Sequence, residues 1–481
     1  MQKFILLVVL IFASSYSSCS KKSTNPNNSS GPNPTDSSGT NDVSFWRTDR
    51  DQSVLLQLQP VTLSFNTKSN QYPFLDVDST QKYQTIDGFG FTLTGGSASV
   101  INQMNATAKA ALLKELFGKD SSSVSISYLR LSIGASDLNA SVFSYDDLPA
   151  GSTDTGLIHF SLAQDTIDLI PLLKQILVIN PTIKIIAAPW SAPVWMKDNG
   201  SSVGGSLLPA YYNVYAKYFV KYIQQMKANG ITIDAVTPQN EPLNPDNNPS
   251  LYMIATDQSA FIKDNLGPAF QAAGINTKIV VYDHNCDHPE YATNILNDTS
   301  SAKYVDGSAF HLYAGDISAL TTVHNAFPLK NIYFTEQYNA STASFAGDLQ
   351  WHLTNVIIGS MNNWSRIALE WNLANDGSFG PHTPGGCTTC KGALTISSSG
   401  VSRNVGYYII AHASKFVPPV SVRIASTKFT NLPSVAFETP AGKKVLIVIN
   451  NDNSPAAFNI RFKGKWVTTG LPAGSVGTYL W

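Results

Sequence analysis

Ile183-Lys-Ile-Ile-Ala-Ala-Pro-Trp190 and Ile233-Asp-Ala-Val-Thr-Pro-Gln-Asn-Glu241 are two solidly apolar runs, each closing on polar or aromatic residues. Between them, Ala210 to Asn229 carries apolar residues at three- and four-residue steps and Gly230 follows as a C-terminal stop, the signature of an amphipathic helix. Strands that do not alternate are strands buried on both faces. Strand, helix, strand in this order builds a parallel sheet. Working outward, the same kind of run recurs at Tyr83–Phe91, Ser125–Ile133, Lys278–Asn285, Val305–Tyr313, Ile332–Tyr338 and Ile367–Leu373, which makes eight. Further helical stretches fill the gaps at Thr107–Phe117, Ala163–Val178, Phe261–Ala273 and Leu349–Asn362. Eight strand-helix units predict an α/β fold, a (β/α)8 TIM barrel over residues 81–415. The rival, an open doubly wound sheet, would carry a Gly-rich phosphate fingerprint after its first strand, and none stands there.

Both flanks differ from this pattern. After residue 416 the helices stop and short strands follow at Val422–Ile424, Ser434–Glu438, Val445–Asn450, Ala457–Phe462 and Gly477–Trp481. They predict a small β-sandwich over 416–481. Strand-like stretches at Val54–Leu58, Val61–Phe65 and Phe74–Asp78 predict that residues 46–80 complete it. At the other end, Lys3, the apolar run Phe4 to Ala13 and a small-residue stretch to Cys19 read as an export signal over 1–19, too short to span a bilayer. Tyr16-Ser-Ser-Cys19 resembles a lipoprotein signal with Cys19 as the lipidated residue; an ordinary cleaved signal is the other reading. Residues 20–45, rich in Ser, Asn, Pro and Gly, are the tether.

A net charge of −1 with 14% charged residues gives no field for a polyanion, so nucleic acid is not an expected partner, and a neutral substrate is. Aromatics at 11% are enough to wall a sugar site. Membrane contact is expected only through Cys19.

The chemistry of a barrel lies at the C-terminal ends of its strands. These ends read Asp87-Gly-Phe-Gly90, Arg130 with Asp137 beyond it, Pro189-Trp190, Asn240-Glu241, Asp283-His-Asn285, His311-Leu-Tyr313, Thr335-Glu336 and Glu370-Trp-Asn372. Glu241 and Glu336 close apolar runs, where an unused carboxylate would be costly to bury. On strands four and seven they would face each other across the mouth. Glycoside hydrolysis needs such a pair: near ~5 Å apart it gives retention, wider apart inversion. Asn240 is placed to hydrogen-bond a sugar 2-hydroxyl. Trp190 and Trp371 either stack on sugar faces or fill core. Tyr313 either holds the nucleophile or is a core tyrosine, and Arg130 is expected to pair with Glu336 and keep it ionised. Asp87 and Glu370 are weaker rivals, read as structural. Cys387-Thr-Thr-Cys390 is expected to close a local disulfide; zinc would need ligands beyond Cys286 and His382.

The motifs Gln84-Thr-Ile-Asp-Gly-Phe-Gly90, Tyr128-Leu-Arg-Leu-Ser-Ile-Gly134, Ala188-Pro-Trp-Ser-Ala-Pro-Val-Trp-Met-Lys197, Gln239-Asn-Glu-Pro242, Phe334-Thr-Glu336, Trp371-Asn-Leu-Ala374 and Ser475-Val-Gly-Thr-Tyr-Leu-Trp481 resemble glycoside hydrolase family 30, in order, over most of the chain. The resemblance implies retaining double displacement with Glu241 as acid/base and Glu336 as nucleophile, and no metal or organic cofactor. It implies that Asp137, Trp190, Asn240, Tyr313 and Trp371 line the sugar subsite, with His311 and Asn372 beside them as substrate-binding residues. The loop Gly380 to Cys390 looks like that of the family's microbial β-1,6-glucanases. Phe91-Thr-Leu-Thr94 and Leu312 depart from the glucosylceramidases. The expected substrate is therefore β-glucan, cleaved as an endo-β-1,6-glucanase. Glucosylceramide, other β-glucosides, xylosides or fucosides are alternatives, and a non-catalytic glycan-binding lipoprotein is the reading from a different class.

Overall fold

The computed structural model describes residues 41–481, so the leader and Cys19 lie outside the described residues. Eight parallel strands close into a barrel: β1 Gly88–Thr92, β2 Tyr128–Ser132, β3 Lys184–Ala188, β4 Ala235–Val236, β5 Lys278–Cys286, β6 Val305–Gly315, β7 Asn331–Glu336 and β8 Ser365–Asn372, with β8 returning to β1. The unbroken apolar runs now have their cause. Tyr128, Ile186, Ala235, Val280, Ala309, Tyr333, Ile367 and Leu369 pack against one another inside the barrel. Their sequence neighbours Leu129, Ile185, Val236, Val281, Phe310, Phe334 and Ala368 face outward into the core shared with the helices. Both faces of each strand are dry.

The first run divides. Phe74–Thr85 is one long strand of the second sheet, and β1 begins only at Gly88. Gly88 has φ +155°, and a Cβ there would meet Ser127 Oγ at 2.5 Å, so the chain turns from sheet to barrel at a residue that only glycine fits. Asp87 at this corner is held by Arg366 at 2.8 and 3.0 Å and by Lys184 at 3.2 Å, at the opposite end of β1 from the mouth. The helix expected from Ala163 begins at Leu169, with Pro171 in its first turn, where the missing N–H costs nothing. The helix expected from Phe261 already begins at Ala255 and runs on through a π turn at Ile262–Leu266.

The second unit is a nine-stranded β-sandwich sheet in the spatial order Gln57–Leu58, Ser44–Thr48, Val476–Leu480, Lys444–Ile449, Ser434–Glu438, Val422–Ser426, Phe74–Thr85, Ala456–Phe462, Lys465–Leu471. Of the strands from before the barrel, Phe74–Thr85 thus lies between strands from after it, and Gln57–Leu58 with Ser44–Thr48 forms one edge. The expected strand at Val61–Phe65 is irregular, and Lys465–Leu471 is a strand the sequence pattern did not single out. The end of the expected tether is part of the sheet, since buried Val43 leads into the strand Ser44–Thr48 paired with Val476–Leu480. Leu75, Val77, Ile424, Leu446, Val448, Phe458, Ile460 and Tyr479 fill its core. The last barrel helix, Val405–Ser414, seats on this sheet, where buried His412 meets Thr48 and Thr478 at 2.8 Å each. The sheet thereby props the barrel from the side and leaves the C-terminal mouth open. Among the described residues no helix is long and apolar enough to cross a membrane.

Candidate active site

Glu336 is the last residue of β7, and Glu241 follows the short strand β4. Glu241 sits at φ +45°, a left-handed conformation costly for a residue with a side chain and held here by the Glu241 N–H to Asp283 carbonyl bond of 3.0 Å. Both glutamates are buried, at 8% and 6% exposure. One carboxylate oxygen of each, with one ring nitrogen of His311, lie within 4.8 Å of one another. The two acidic side chains that the sequence separates by 95 positions therefore meet across one cleft.

A polar network fixes them. Arg130, fully buried on β2, donates to Glu336 Oε2, to Asn240 Oδ1 at 2.7 Å and to Asp283 Oδ2 at 2.8 Å. Tyr313 donates its hydroxyl to Glu336 Oε1 at 2.9 Å. Arg130 takes the Asn240 carbonyl, which fixes the amide and turns its NH2 group to the pocket. Asp283 is the hub: besides Arg130 it accepts from Thr237 at 2.7 Å and Thr335 at 2.6 Å, and it faces His311 Nε2 at 3.2 Å. His311 Nδ1 meets Glu241 Oε1 at 3.0 Å, and Asn244 donates to Glu241 Oε2 at 2.8 Å. Asp283 and Tyr282 both have positive φ, so β5 bends where it delivers this carboxylate.

The electrostatics follow from that wiring. Burial pushes Glu241 up, but the His311 hydrogen bond and charge, with His284 and Asn244, outweigh it and hold the carboxyl at about 2. Burial would discharge His311, yet Glu336, Asp283 and Glu241 hold its proton to about 9. Glu336 is raised by burial, against the pull of His311 and Arg130. Burial pushes Asp283 up too, but the Arg130 charge and the His311 and Thr335 hydrogen bonds outweigh it, and its carboxyl lies far below the usual range. In the free site one proton is thus shared by His311 and Glu241, and it lies on the imidazole. The glutamates and His311 could ligate a cation, but Arg130 already occupies Glu336 and its charge opposes one.

The cleft above them has a volume of about 700 Å³ and is lined by Asp137, Trp190, Asn240, Tyr313, Tyr338 and Trp371 around both glutamates. Trp190 and Trp371 lie 5.3 Å apart at a 33° tilt, and Arg130 sits under Trp190 at 4.8 Å. Cys387 and Cys390 are joined by a disulfide and form part of the same wall.

Two expected sugar contacts take other places. Asn372 is turned away, its Oδ1 accepting from Thr94 at 3.1 Å and Ser97 at 2.7 Å, because β8 packs there on the helix Gly95–Asn102. His311 is fully buried behind Glu241 and Asp283, so it acts on carboxylates rather than on a ligand. Glu370 is bound to His352 at 2.8 Å outside the cleft. The sequence pattern gives Asp283 a strand-end place but no role, and it does not single out Asn244. For Asp283 the signal was present: a carboxylate inside the apolar run Lys278–Asn285. Asn244 lies in a loop whose path no pattern reveals.

The family description "Glycosyl hydrolase family 30 TIM-barrel domain" matches residues 86–417, and "Glycosyl hydrolase family 30 beta sandwich domain" matches residues 421–479. An endo-1,6-beta-D-glucanase of Trichoderma harzianum is 33% identical over 432 residues, covering 84% of this chain and 86% of that one. The lysosomal acid glucosylceramidase of Mus musculus is 27% identical over 442 residues, covering 85% and 83%. The solved structure of an endo-beta1,6-glucanase superposes with a TM-score of 0.85 at 35% identity, over 91% of this chain and 99% of that one. With the barrel and the sandwich both matched and the fold shared along nearly its whole length, this chain belongs to glycosyl hydrolase family 30.

Proposed function

We propose that this glycoside hydrolase cleaves β-1,6-linked glucan internally with retention, using Glu336 as nucleophile and Glu241 as acid/base. The observation that carries the reading is the pair of buried glutamates with carboxylate oxygens within 4.8 Å of each other, a spacing that leaves room for one anomeric centre and none for a water between. Glu336 Oε attacks the anomeric carbon, and the glycosidic oxygen leaves with the shared proton, which passes from His311 Nδ1 through Glu241 to it. Glu241 then takes a proton from water, whose oxygen displaces Glu336. Arg130 and Tyr313 steady the carboxylate before attack and the leaving carboxylate after it. The Asn240 NH2 group, fixed by Arg130, donates to the sugar 2-hydroxyl where that bond strengthens at the transition state. The likeness to endo-1,6-beta-D-glucanases over most of both chains supports the linkage. The N-terminal signal and Cys19 support export and anchoring by a lipid.

Product analysis tests the substrate. Incubated with linear β-1,6-glucan, the enzyme is expected to release a ladder of gentio-oligosaccharides early, with β-1,3-glucan left intact. Glucose release from glucosylceramide with β-1,6-glucan untouched would overturn the substrate and leave the chemistry standing.

The shared proton sets the pH dependence. As pH rises through about 9 the His311–Glu241 pair loses it and nothing protonates the leaving oxygen, which is the basic limb. As pH falls, Glu336, held above the ordinary 4.5 by burial, takes a proton and cannot attack, which is the acidic limb. In His311→Gln the cation is gone. Glu241 then loses its proton at a lower pH than the pair did, and Glu336 gains one at a higher pH. The kcat/KM profile is expected to narrow from both sides; a profile of unchanged width would show that His311 does not hold the proton.

A further inference from the structure

The carboxylate of Asp137 points into the cleft from the loop after β2, and the structure ties it to an element with no part in the chemistry so far. Asp137 is 4% exposed. Its Oδ1 is buried with no protein partner, and its Oδ2 accepts one bond, from the Cys387 N–H at 3.2 Å. A dry carboxylate oxygen without a donor beside a sugar site is an acceptor waiting for a hydroxyl. Its neighbours supply no cation to hold the charge, and burial with the nearby Glu336 pushes its pKa to about 7. The donor that holds Oδ2 is therefore what sets where Oδ1 points.

That donor is held from both ends of its loop, and the disulfide is the tie to the strand behind it. Cys390 is buried against Leu138, Trp190 and Trp371. Its carbonyl accepts from Asn375 Nδ2 at 2.9 Å, and it pairs with Ala340 in a short antiparallel bridge. Next to it, Thr389 O accepts from Ser341 N at 2.8 Å. Ahead of Cys387, the Gly386 N–H donates to Thr383 O at 2.9 Å, and Thr383 donates to Asp137 O at 2.8 Å and Asn248 O at 2.6 Å. Behind it, Cys387 reaches the Cys390 framework through the disulfide. The loop has no spare room either: a Cβ on Gly386 would meet the Asp137 carbonyl at 2.5 Å.

We infer that the Cys387–Cys390 disulfide is a positioning element for substrate: it carries the rigidity of the Cys390 strand to the Cys387 N–H, which aims Asp137 at a sugar hydroxyl. Cys387 and Cys390 do not touch the reacting atoms. They act through Asp137, and the inference rests on the proposed role of Asp137 as a sugar-binding carboxylate. Opening the bridge with a dithiol leaves two thiols and the reductant as its own cyclic disulfide. The barrel, the Arg130 network and both glutamates keep their contacts.

The test uses the folded full-length enzyme and the variant C387S/C390S, with dithiol reduction of the unsubstituted enzyme as the second route should the variant not fold. On β-1,6-glucan, KM is expected to rise about tenfold with kcat within about twofold, the effect of loosening one charge-assisted hydrogen bond. Asp137→Asn is expected to raise KM in the bridged enzyme and to add little in C387S/C390S, since both changes remove the same interaction. Fully additive effects would overturn the inference. Hydrogen exchange at the Cys387 amide needs no substrate: protection is expected to fall on reduction and equally in Asp137→Ala. Unchanged protection in both would overturn the inference. Inertness on every glucan with the exchange result intact would count against the substrate, not against the bridge.

Discussion

Glu336→Gln is expected to lower kcat by on the order of 10⁴-fold or more while the protein keeps its fold. The amide has nearly the shape of the carboxylate and still accepts from Tyr313, but it cannot form the glycosyl ester. The fold survives because Arg130, stripped of one partner, keeps Asp283 and Asn240, both within 2.8 Å. Cutting the side chain back in Glu336→Ala opens space on the same face of the sugar. Azide is then expected to attack an activated aryl β-glucoside there and yield the α-configured glycosyl azide. A variant that keeps more than a few per cent of wild-type kcat on glucan would remove Glu336 from the reaction.

Glu241→Gln is expected to cost about 10²- to 10⁴-fold, and the size depends on the leaving group. Glucan leaves as an alkoxide and needs the proton, so its hydrolysis falls most. A dinitrophenyl glucoside leaves unaided, so its first step is nearly spared and release of the glycosyl enzyme becomes rate-limiting. A burst of phenolate equal to the enzyme concentration is the expected trace, and added azide should accelerate the slow phase and give the β-azide. The His311 proton cannot replace the lost acid, because Nδ1 reaches the leaving oxygen only through Glu241. Equal loss on both substrates would mean that Glu241 supports the site without transferring a proton.

The barrel was legible because both faces of its strands are buried, which writes Ile185-Ile-Ala-Ala188 and its counterparts as apolar runs. The run from Tyr83 misled because the half-buried end of one strand, Tyr83–Thr85, runs on without a break in the apolar pattern into the buried strand that begins at Gly88. Glu241 and Glu336 could be read from their positions at strand ends, and Arg130 from its place inside the apolar run of β2, where polarity interrupts the pattern. His311 and Asn372 stand at such ends as well. Whether a strand-end side chain faces the cleft, a carboxylate behind it or a neighbouring helix depends on bends such as that at Asp283, which leave no periodic trace. The link from Cys390 through Cys387 to Asp137 joins residues some 250 positions apart by a backbone N–H, a group every residue carries.

The meeting of two buried carboxylates at one anomeric centre is tested most directly by the configuration of the first product. Proton NMR of the reducing end released from β-1,6-glucan, followed in the first minutes before mutarotation, is expected to show the β-anomer rising first and the α-anomer appearing only later. An α-anomer formed first would mean a water attacks in place of Glu336, and the double displacement drawn from this geometry would be wrong.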